Sequence, residues 1–582
     1  MPEISILVTF CNQDNFIRRA LDSIINQKLS CNYEILIGLD GNRETSLKIL
    51  DEYTSMYDFI HVYEIDWTKR NCINIEKASA NRLNLLKHAK GKFFTILDGD
   101  DYYGDEYRLQ KLKNILLENP KCIGCGSGHT LVYADGREKI NVVDDFTIYD
   151  LPTYLQSGAY IHNGSVLFRN IFYFGFPKNF PYNFVNDTTM TMYMMKFGKL
   201  ACIPEASYMY WIGENGIYQG VSEYLKLLYG ALGAEINLQY IPEYRKFLLK
   251  KYANVFHKLY KNKRKYNFES KELDLIYVFA KENHCRLVYA VISYAKSSGV
   301  KRLYWYLFIR HIVKRRRYWG KRRIYKMAVW LGFSNFGDVM NLYIGRYVYD
   351  WCFIPVWHEA DLYCIGSLLD NMYQNLQNKK NITVVGTGMH KDLCVTQNKK
   401  TKIKVLALRG KTSLENVKKY NQLDEVILGD PAILLRKMIK QNVSMEQKYV
   451  GVIPHFYDKN SEYIKNITAE NVKIIDIEEN PIQNMREIME CKCILSSSLH
   501  GLIFADALGV PSQWVLFSDK IIGKEMKFED YYSVYNIKPQ PIDLRDTLID
   551  DEKVNDIIDN YKNIEEQMDK QCDELLEIKL DN

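Results

Sequence analysis

Two stretches of this chain gather the residue types that do chemistry. In the first, the apolar run Phe93 to Leu97 ends abruptly in Asp98-Gly99-Asp100-Asp101. Three carboxylates at a strand end repel one another and lose hydration. A hard divalent cation, Mg²⁺ or Mn²⁺, relieves both costs and takes its other ligands from phosphate oxygens. Gly99 lets the backbone turn so that Asp98 and Asp100 face one side. The same acidic turn would also serve as a cap for the helix expected from Asp105 to Leu117. In the second stretch, His500 follows Ser496, Ser497, Ser498 and Leu499. A histidine titrates near neutrality and can give or take a proton. Arg409 supplies the planar fork that matches a carboxylate or phosphate. His455 is a second polar candidate at a strand end. Asn335-Phe336-Gly337-Asp338 is a glycine-bearing turn entering a helix, where backbone amides can cradle an anion. Cys122 and Cys125 have metal-ligand spacing, but no second pair answers them.

These residues need elements to hold them. Ile4 to Phe10 reads as a strand, and Phe16 to Gln27 carries apolar residues at helical spacing. Tyr33 to Leu39 is a second strand, ending at Asp40, and Ile60 to Ile65 a third. A helix from Ala78 to Ala89, carrying Arg82, leads into the strand that ends at Asp98. Strands alternating with helices, with polar groups at the strand C-termini, describe a doubly wound α/β sheet that binds a nucleotide at those ends. The grammar returns after Ala328. Short apolar strands end at Ser367, Gly388, Arg409, Gly429, His455 and Ser498, often enough to require two Rossmann-like halves.

The chain has 582 residues, a length that predicts three or four domain-sized units. Its net charge of +6 is too small to mark the whole chain as a nucleic-acid binder. Thirteen scattered cysteines show no disulfide framework and suit a reducing cytosol. Neither a signal peptide nor an apolar run of membrane-spanning length is evident.

Val8 to Phe16, Ala20 to Gln27, Asp40-Gly41 and Leu97 to Tyr102 together resemble the family 2 glycosyltransferases of GT-A fold, over roughly residues 1–220. The resemblance implies a nucleotide-sugar donor, a UDP-sugar in the first instance, and inversion at the anomeric carbon. It places Asp40 at the uracil or ribose edge, Arg82 near the diphosphate, Asp98 at the ribose and Asp100 on an Mn²⁺ or Mg²⁺ ion. Asp187, before a helical segment, falls where this family has its base; the other role for Asp187 is a helix N-cap. His162 to Ser165 resembles the segment lining the acceptor side. Relatives often show Tyr-Arg-x-His after the base. Here the stretch reads Tyr210-Trp211-Ile212-Gly213, which points to Glu214 as a substitute metal contact or to a weakened site.

Asn335 to Asp338, Gly386 to Gly388, Arg409-Gly410, Gly429 to Pro431, Pro454-His455, Ser496 to Pro511 and Lys527 to Tyr532 resemble the polysaccharide pyruvyltransferase family, over about 328–540. The implied reaction joins two sugar hydroxyls to phosphoenolpyruvate as a ketal, with no cofactor. His500 would move the proton, and Arg409, His455, Ser498, Lys527, Asn335 and Gly337 would bind phosphoenolpyruvate. Some relatives carry Arg where Ser498 stands, which shifts the load to Arg409 or Lys527.

The expected architecture is therefore α/β: a GT-A domain over 1–222, a basic helical connector over 223–327, a GT-B-like pyruvyltransferase domain over 328–545 and an acidic helical tail over 546–582. Residues 301–323 mix cations with Trp and Tyr, a composition suited to anionic headgroups. A nucleic-acid backbone and an ordinary packed connector are the competing readings, and no nucleic-acid motif accompanies the run. The expected function is bifunctional synthesis of a bacterial capsular polysaccharide or exopolysaccharide on a lipid-linked or oligosaccharide acceptor, in the cytoplasm at the inner face of the membrane. The alternative is that one half is a binding module without catalysis.

Overall fold

The computed structural model describes residues 2–11, 13–40, 44–65, 72–213, 222–262, 271–298, 301–302, 305–307, 309–310, 323–330, 335–376, 381–394, 401–439, 445–521 and 523–580. The chain forms two compact units. One comprises Met1–Tyr173 and Asn179–Arg322, the other Phe174–Lys178 and Arg323–Asn582.

The first unit opens with alternating strands and helices. They are β1 (Ile4–Phe10), α1 (Ile17–Ile25), β2 (Tyr33–Asp40), α2 (Glu44–Met56), β3 (Ile60–Ile65), α3 (Asn74–His88) and β4 (Phe93–Asp98). Then follow β5 (Tyr102–Tyr103), α4 (Arg108–Glu118), β6 (Cys122–Tyr133), β7 (Glu138–Asn141), β8 (Thr147–Tyr149), α5 (Leu151–Ser157), β9 (Val166–Arg169), α6 (Asp187–Met194) and β10 (Lys199–Ile212). The sheet order is β3-β2-β1-β4-β9-β6-β10-β5, with β7 beside β6 and β8 beside β10. β1, β2, β3 and β4 are parallel, so their C-terminal ends share one edge. Thr9 pairs with Gly38 on one side and Asp98 on the other. That register sets the polar ends of three strands side by side, where an α/β sheet binds ligands. Buried Ile6, Val8, Ile35, Ile37 and Leu97 pack with the Ile17, Ala20, Leu21 and Ile24 stripe of α1. Helices α7 (Glu223–Tyr240), α8 (Arg245–Asn262), α9 (Lys271–Glu282) and α10 (Arg286–Lys296) form a separate apolar cluster of the same unit, centred on Leu228, Leu232, Ile276 and Val291. The buried Lys196–Glu243 pair at 3.1 Å ties the end of α6 to this bundle.

The second unit has two parallel sheets. The first contains β11 (Tyr325–Ala328), β12 (Phe353–Val356), β13 (Leu362–Tyr363), β14 (Asn381–Val385), β15 (Lys402–Leu408) and β16 (Ile427–Leu428), in the order β12-β11-β13-β14-β15-β16. The second contains β17 (Tyr449–Ile453), β18 (Val472–Ile474), β19 (Cys491–Ser496), β20 (Ser512–Leu516) and β21 (Ile542–Asp543), in the order β18-β17-β19-β20-β21. Helices α11 (Phe336–Tyr343), α12 (Leu369–Gln374) and α13 (Lys411–Lys418) accompany the first sheet. Helices α14 (Pro481–Met489) and α15 (Leu499–Ala507) accompany the second. Three more follow: α16 (Lys524–Tyr532), α17 (Asp551–Asp559) and α18 (Glu565–Leu576). The two Rossmann-like halves expected from the repeated strand endings are present. α18 returns to the first half, where Gln571 donates to the Leu428 carbonyl at 2.6 Å and Arg436 meets Asp569 at 3.2 Å.

Candidate active sites

In the first unit the acidic turn closes β4, and its three carboxylates have separate surroundings. Asp98 accepts from the Thr9 hydroxyl and from Arg82 Nη2 at 3.2 and 3.3 Å. Asp101 is buried and accepts from the Tyr208 hydroxyl at 2.5 Å and the Trp211 amide at 2.8 Å. Burial, with Asp100 and Asp98 nearby, pushes its carboxyl well above the usual range. Asp100 faces Gln13, and burial and the charge of Asp98 push it up to about 6. Asp40 stands at the end of β2, two strands from Asp98, its carboxyl raised by burial against the opposing charge of Lys77.

Arg82, on α3, is the hinge of this cluster. It donates to the Val185 carbonyl at 2.9 Å, grips Asp98, and lies 3.7 Å from Asp187 Oδ1. Asp187 Oδ2 lies 3.1 Å from His162 Nε2. Burial opposes the charged carboxylate, but His162 and Arg82 hold Asp187 below its usual range. Asp187 is not the helix cap. That role belongs to Asn186, whose side chain accepts from the Thr189 amide at 2.9 Å. Asp187 is the first residue of α6, its carboxylate committed to the site. His129, on β6, was missed in the sequence. Burial and the proximity of His162 pull it down to about 4, and Nδ1 has no partner among the described residues. Its only signal was a histidine on a glycine-rich strand whose other polar residues are Ser127, Thr130 and Tyr133.

No group of three His, Cys, Asp or Glu side chains among the described residues forms a metal cage. Asp98 and Asp101 are taken up by Arg82, Thr9, Tyr208 and Trp211. Asp100 is the carboxylate left to face a cation, and it suits one whose other ligands are diphosphate oxygens. Glu214 lies outside the described residues, as do Gly41 and most of 301–323. Cys122 and Cys125 lie buried in β6, and burial pushes the Cys122 thiol up to about 11.

In the second unit, groups from both halves meet. Arg409, directly after β15, is fully buried. It donates to Asp530 of α16 at 3.0 Å, to Ser367 at 2.8 Å and to the Met389 carbonyl at 2.8 Å. Asp530 also accepts from the Ser413 amide and hydroxyl. His500, at the start of α15, lies against Gly337 of α11; a Cβ on Gly337 would fall 2.1 Å from Nδ1. His500 Nε2 is buried without a partner among the described residues. Burial first, then Arg409, Lys527 and His455, pull His500 down to about 3. His455 is lowered to about 4 by burial and Lys527, and its Nδ1 accepts from the Tyr457 amide at 3.3 Å. Lys527 is lowered to about 8 by burial and Arg409, with Asp458 opposing. Ser498 donates its amide to Ser496 Oγ at 3.0 Å at the head of α15. Asn335 caps α11 by accepting from the Gly337 amide at 3.1 Å. The predicted residues therefore converge, although Arg409 spends three of its donors on the protein. Asp458 and the His390–Asp370 pair at 3.3 Å were not read from the sequence, nor was the pairing of Asp530 with Arg409, because the partners come from distant elements.

Residues 5–176 match the glycosyl transferase family 2 model, and residues 236–516 match the polysaccharide pyruvyl transferase model. The two matches fall on successive parts of the chain. The uncharacterized protein L143 of Acanthamoeba polyphaga mimivirus is 32% identical over 215 residues, covering 35% of this chain and 72% of that one. The poly(ribitol-phosphate) beta-glucosyltransferase of Bacillus spizizenii is 25% identical over 230 residues, covering 38% of this chain and 34% of that one. The chain thus spans about a third of the second relative's length. Among solved structures, S. aureus TarS 1-349 in complex with UDP-GlcNAc overlaps 57% of this chain and 96% of that one, at 14% identity and a TM-score of 0.36. At that score the fold is read from the sheets themselves.

Proposed function

We propose that the chain is a bifunctional glycan-modifying enzyme. Its first unit transfers a sugar from a nucleotide-sugar donor with inversion, and its second adds pyruvate from phosphoenolpyruvate as a ketal. The observation that carries the reading is the contrast between the two sites. One pairs the end-of-strand carboxylates Asp98 and Asp100 with a base, Asp187. The other gathers Lys527, an Arg409 already paired with Asp530, and two histidines that burial keeps neutral, so that Lys527 is the cation left to meet an anion.

In the first site the acceptor hydroxyl attacks the anomeric carbon, the bond to the diphosphate breaks, and Asp187 takes the hydroxyl proton. Arg82 and Asp98 orient the donor. Asp40 reaches the uracil or ribose edge. A divalent cation on Asp100, Mn²⁺ or Mg²⁺, would offset the charge of the diphosphate.

In the second site two hydroxyl protons must be rehoused. One ends on the methylene carbon of phosphoenolpyruvate, making it a methyl group, and the other on the departing phosphate. His500, neutral and with Nε2 unpartnered among the described residues, carries the proton between hydroxyl and methylene. Lys527 holds the anion, with His455, Ser498 and the Asn335–Gly337 turn completing its contacts. Arg409 supplies positive charge and, through Asp530, fixes α16. No described helix is long and apolar enough to cross a membrane, so a lipid-linked acceptor would be met at the surface.

Product mass tests this. The purified chain is incubated with lipid-linked acceptors, a panel of nucleotide sugars with Mn²⁺, and phosphoenolpyruvate. A product gaining both a hexose and a pyruvate ketal supports the reading. Loss of sugar transfer in Asp100→Ala, and of the ketal in His500→Ala, assigns the halves. A sugar without a ketal would reduce the second unit to a binding module, and neither product would sink the proposal.

A further inference from the structure

We propose that His162 is the positioning residue of the acceptor-side base, holding the Asp187 carboxylate in one orientation between the imidazole and Arg82. This rests on the reading of Asp187 as the base.

The geometry fixes His162 on every side. It is 2% exposed and follows Ile161 into the turn before β9. Its Nδ1 accepts from the Gly164 amide at 3.2 Å, so the proton belongs on Nε2, which lies 3.1 Å from Asp187 Oδ2. The Tyr208 ring stacks on it at 5.1 Å and the Tyr210 ring lies at 4.6 Å. Tyr208 is itself fixed by Asp101 at 2.5 Å. The end of β4 and the base on α6 are therefore tied through Tyr208 and His162. A carboxylate bonded through one oxygen, with Arg82 3.7 Å from the other, cannot rotate freely. Its remaining lone pair on Oδ1 is left for a hydroxyl. Holding a reacting group in one orientation is worth orders of magnitude in rate.

The pairing also sets a pH dependence. The groups facing His162 are Asp187 on α6, Asp98 and Asp101 at the end of β4, His129 on β6, Tyr208 and Tyr210 on β10, and Tyr160. Arg82 on α3 faces Asp187. Burial works against the imidazolium, but Asp187 and the other carboxylates outweigh it and raise His162. The hydrogen bond in turn favours ionised Asp187. Removing the imidazole therefore raises the carboxyl, and the acid limb of activity moves to higher pH.

The test uses the full chain. Release of UDP from UDP-glucose and from UDP-N-acetylglucosamine is followed with Mn²⁺ across pH, with water as acceptor. His162→Ala is expected to lower kcat about 100-fold, leave the donor KM unchanged and shift the acid limb up by about one pH unit. His162→Gln, which keeps a donor, is expected to recover about tenfold. In parallel, the His162 resonance of ¹⁵N-histidine-labelled protein is titrated, assigned by its loss in His162→Gln. Its midpoint should fall in Asp187→Asn. An acid limb unmoved in His162→Ala, or a midpoint unmoved in Asp187→Asn, would overturn the proposal. A midpoint that moves while the wild type releases no UDP would instead refute the base reading, and with it the positioning role, leaving a structural pair.

Discussion

Lys527 gives the sharpest test of the second site at the level of one side chain. Burial and Arg409 lower its ammonium to about 8, so it is charged below that pH and loses its charge above it. An anion held by Lys527 should bind with undiminished affinity below about pH 8 and lose up to about tenfold per pH unit above it. Phosphoenolpyruvate is fully ionised there, so the loss belongs to the protein. Calorimetric titration of phosphoenolpyruvate between pH 7 and 10 reads this directly. Lys527→Arg, charged throughout, should flatten the alkaline loss. An unchanged slope in Lys527→Arg would remove Lys527 from the binding site. The residue itself was legible in the sequence through its place in Lys527 to Tyr532. Its depressed pKa was not, since that depends first on burial in the fold and then on Arg409, more than a hundred residues earlier.

At the level of elements, α16 lies between β20 and β21 of the second sheet but is locked to the end of the first by Arg409 and Asp530, both fully buried. Asp530→Ala would strand a buried guanidinium, and removing one partner of such a pair costs about 3–5 kcal/mol. Urea unfolding should show that loss, and a variant within about 0.5 kcal/mol of wild type would show that water or a neighbour replaces the carboxylate. Gly337 makes a complementary case. A methyl there meets the His500 ring, so Gly337→Ala should reduce ketal formation about 100-fold while the fold persists. Retained ketal formation would mean that His500 can move without consequence. The strands were readable because Phe93 to Leu97 of β4 and Cys493 to Leu495 of β19 are apolar runs ending in polar residues, and α1 carries its stripe at helical spacing. Short strands such as β5 and β21 have two residues each and leave no periodicity to read. Asp187 and His162 were both legible on the acceptor side, but their pairing was not, because only the fold brings the turn before β9 beside α6.

Across the whole molecule, buried titratable groups fall into two opposed sets. Burial raises Glu235 to about 8 and Asp338 to about 7. It lowers His129 and His455 to about 4 and His500 to about 3. Glu235 accepts from the Leu287 amide at 2.6 Å, while its Oε2 has no partner among the described residues. The folded chain holds a proton on Glu235 that the unfolded chain releases above about pH 4.5. That contribution to stability is full below about 4.5 and is lost as pH rises through about 8. The histidines act in the other direction. Unfolded, they take up protons below about pH 6.5, and folded they do not, so stability falls as pH drops from there through about 4. Glu235 and Asp338 thus favour the folded chain at low pH, and the three histidines favour it above about pH 6.5. Glu235→Gln keeps the shape and removes the titration, so it should flatten the alkaline arm and steepen the acid arm above about pH 4.5, where Glu235 had opposed the histidines. The urea midpoint of both proteins at pH 5, 6.5 and 8.5 decides the matter. Parallel alkaline arms would mean that Glu235 is ionised in the folded chain, and that water reaches its second oxygen.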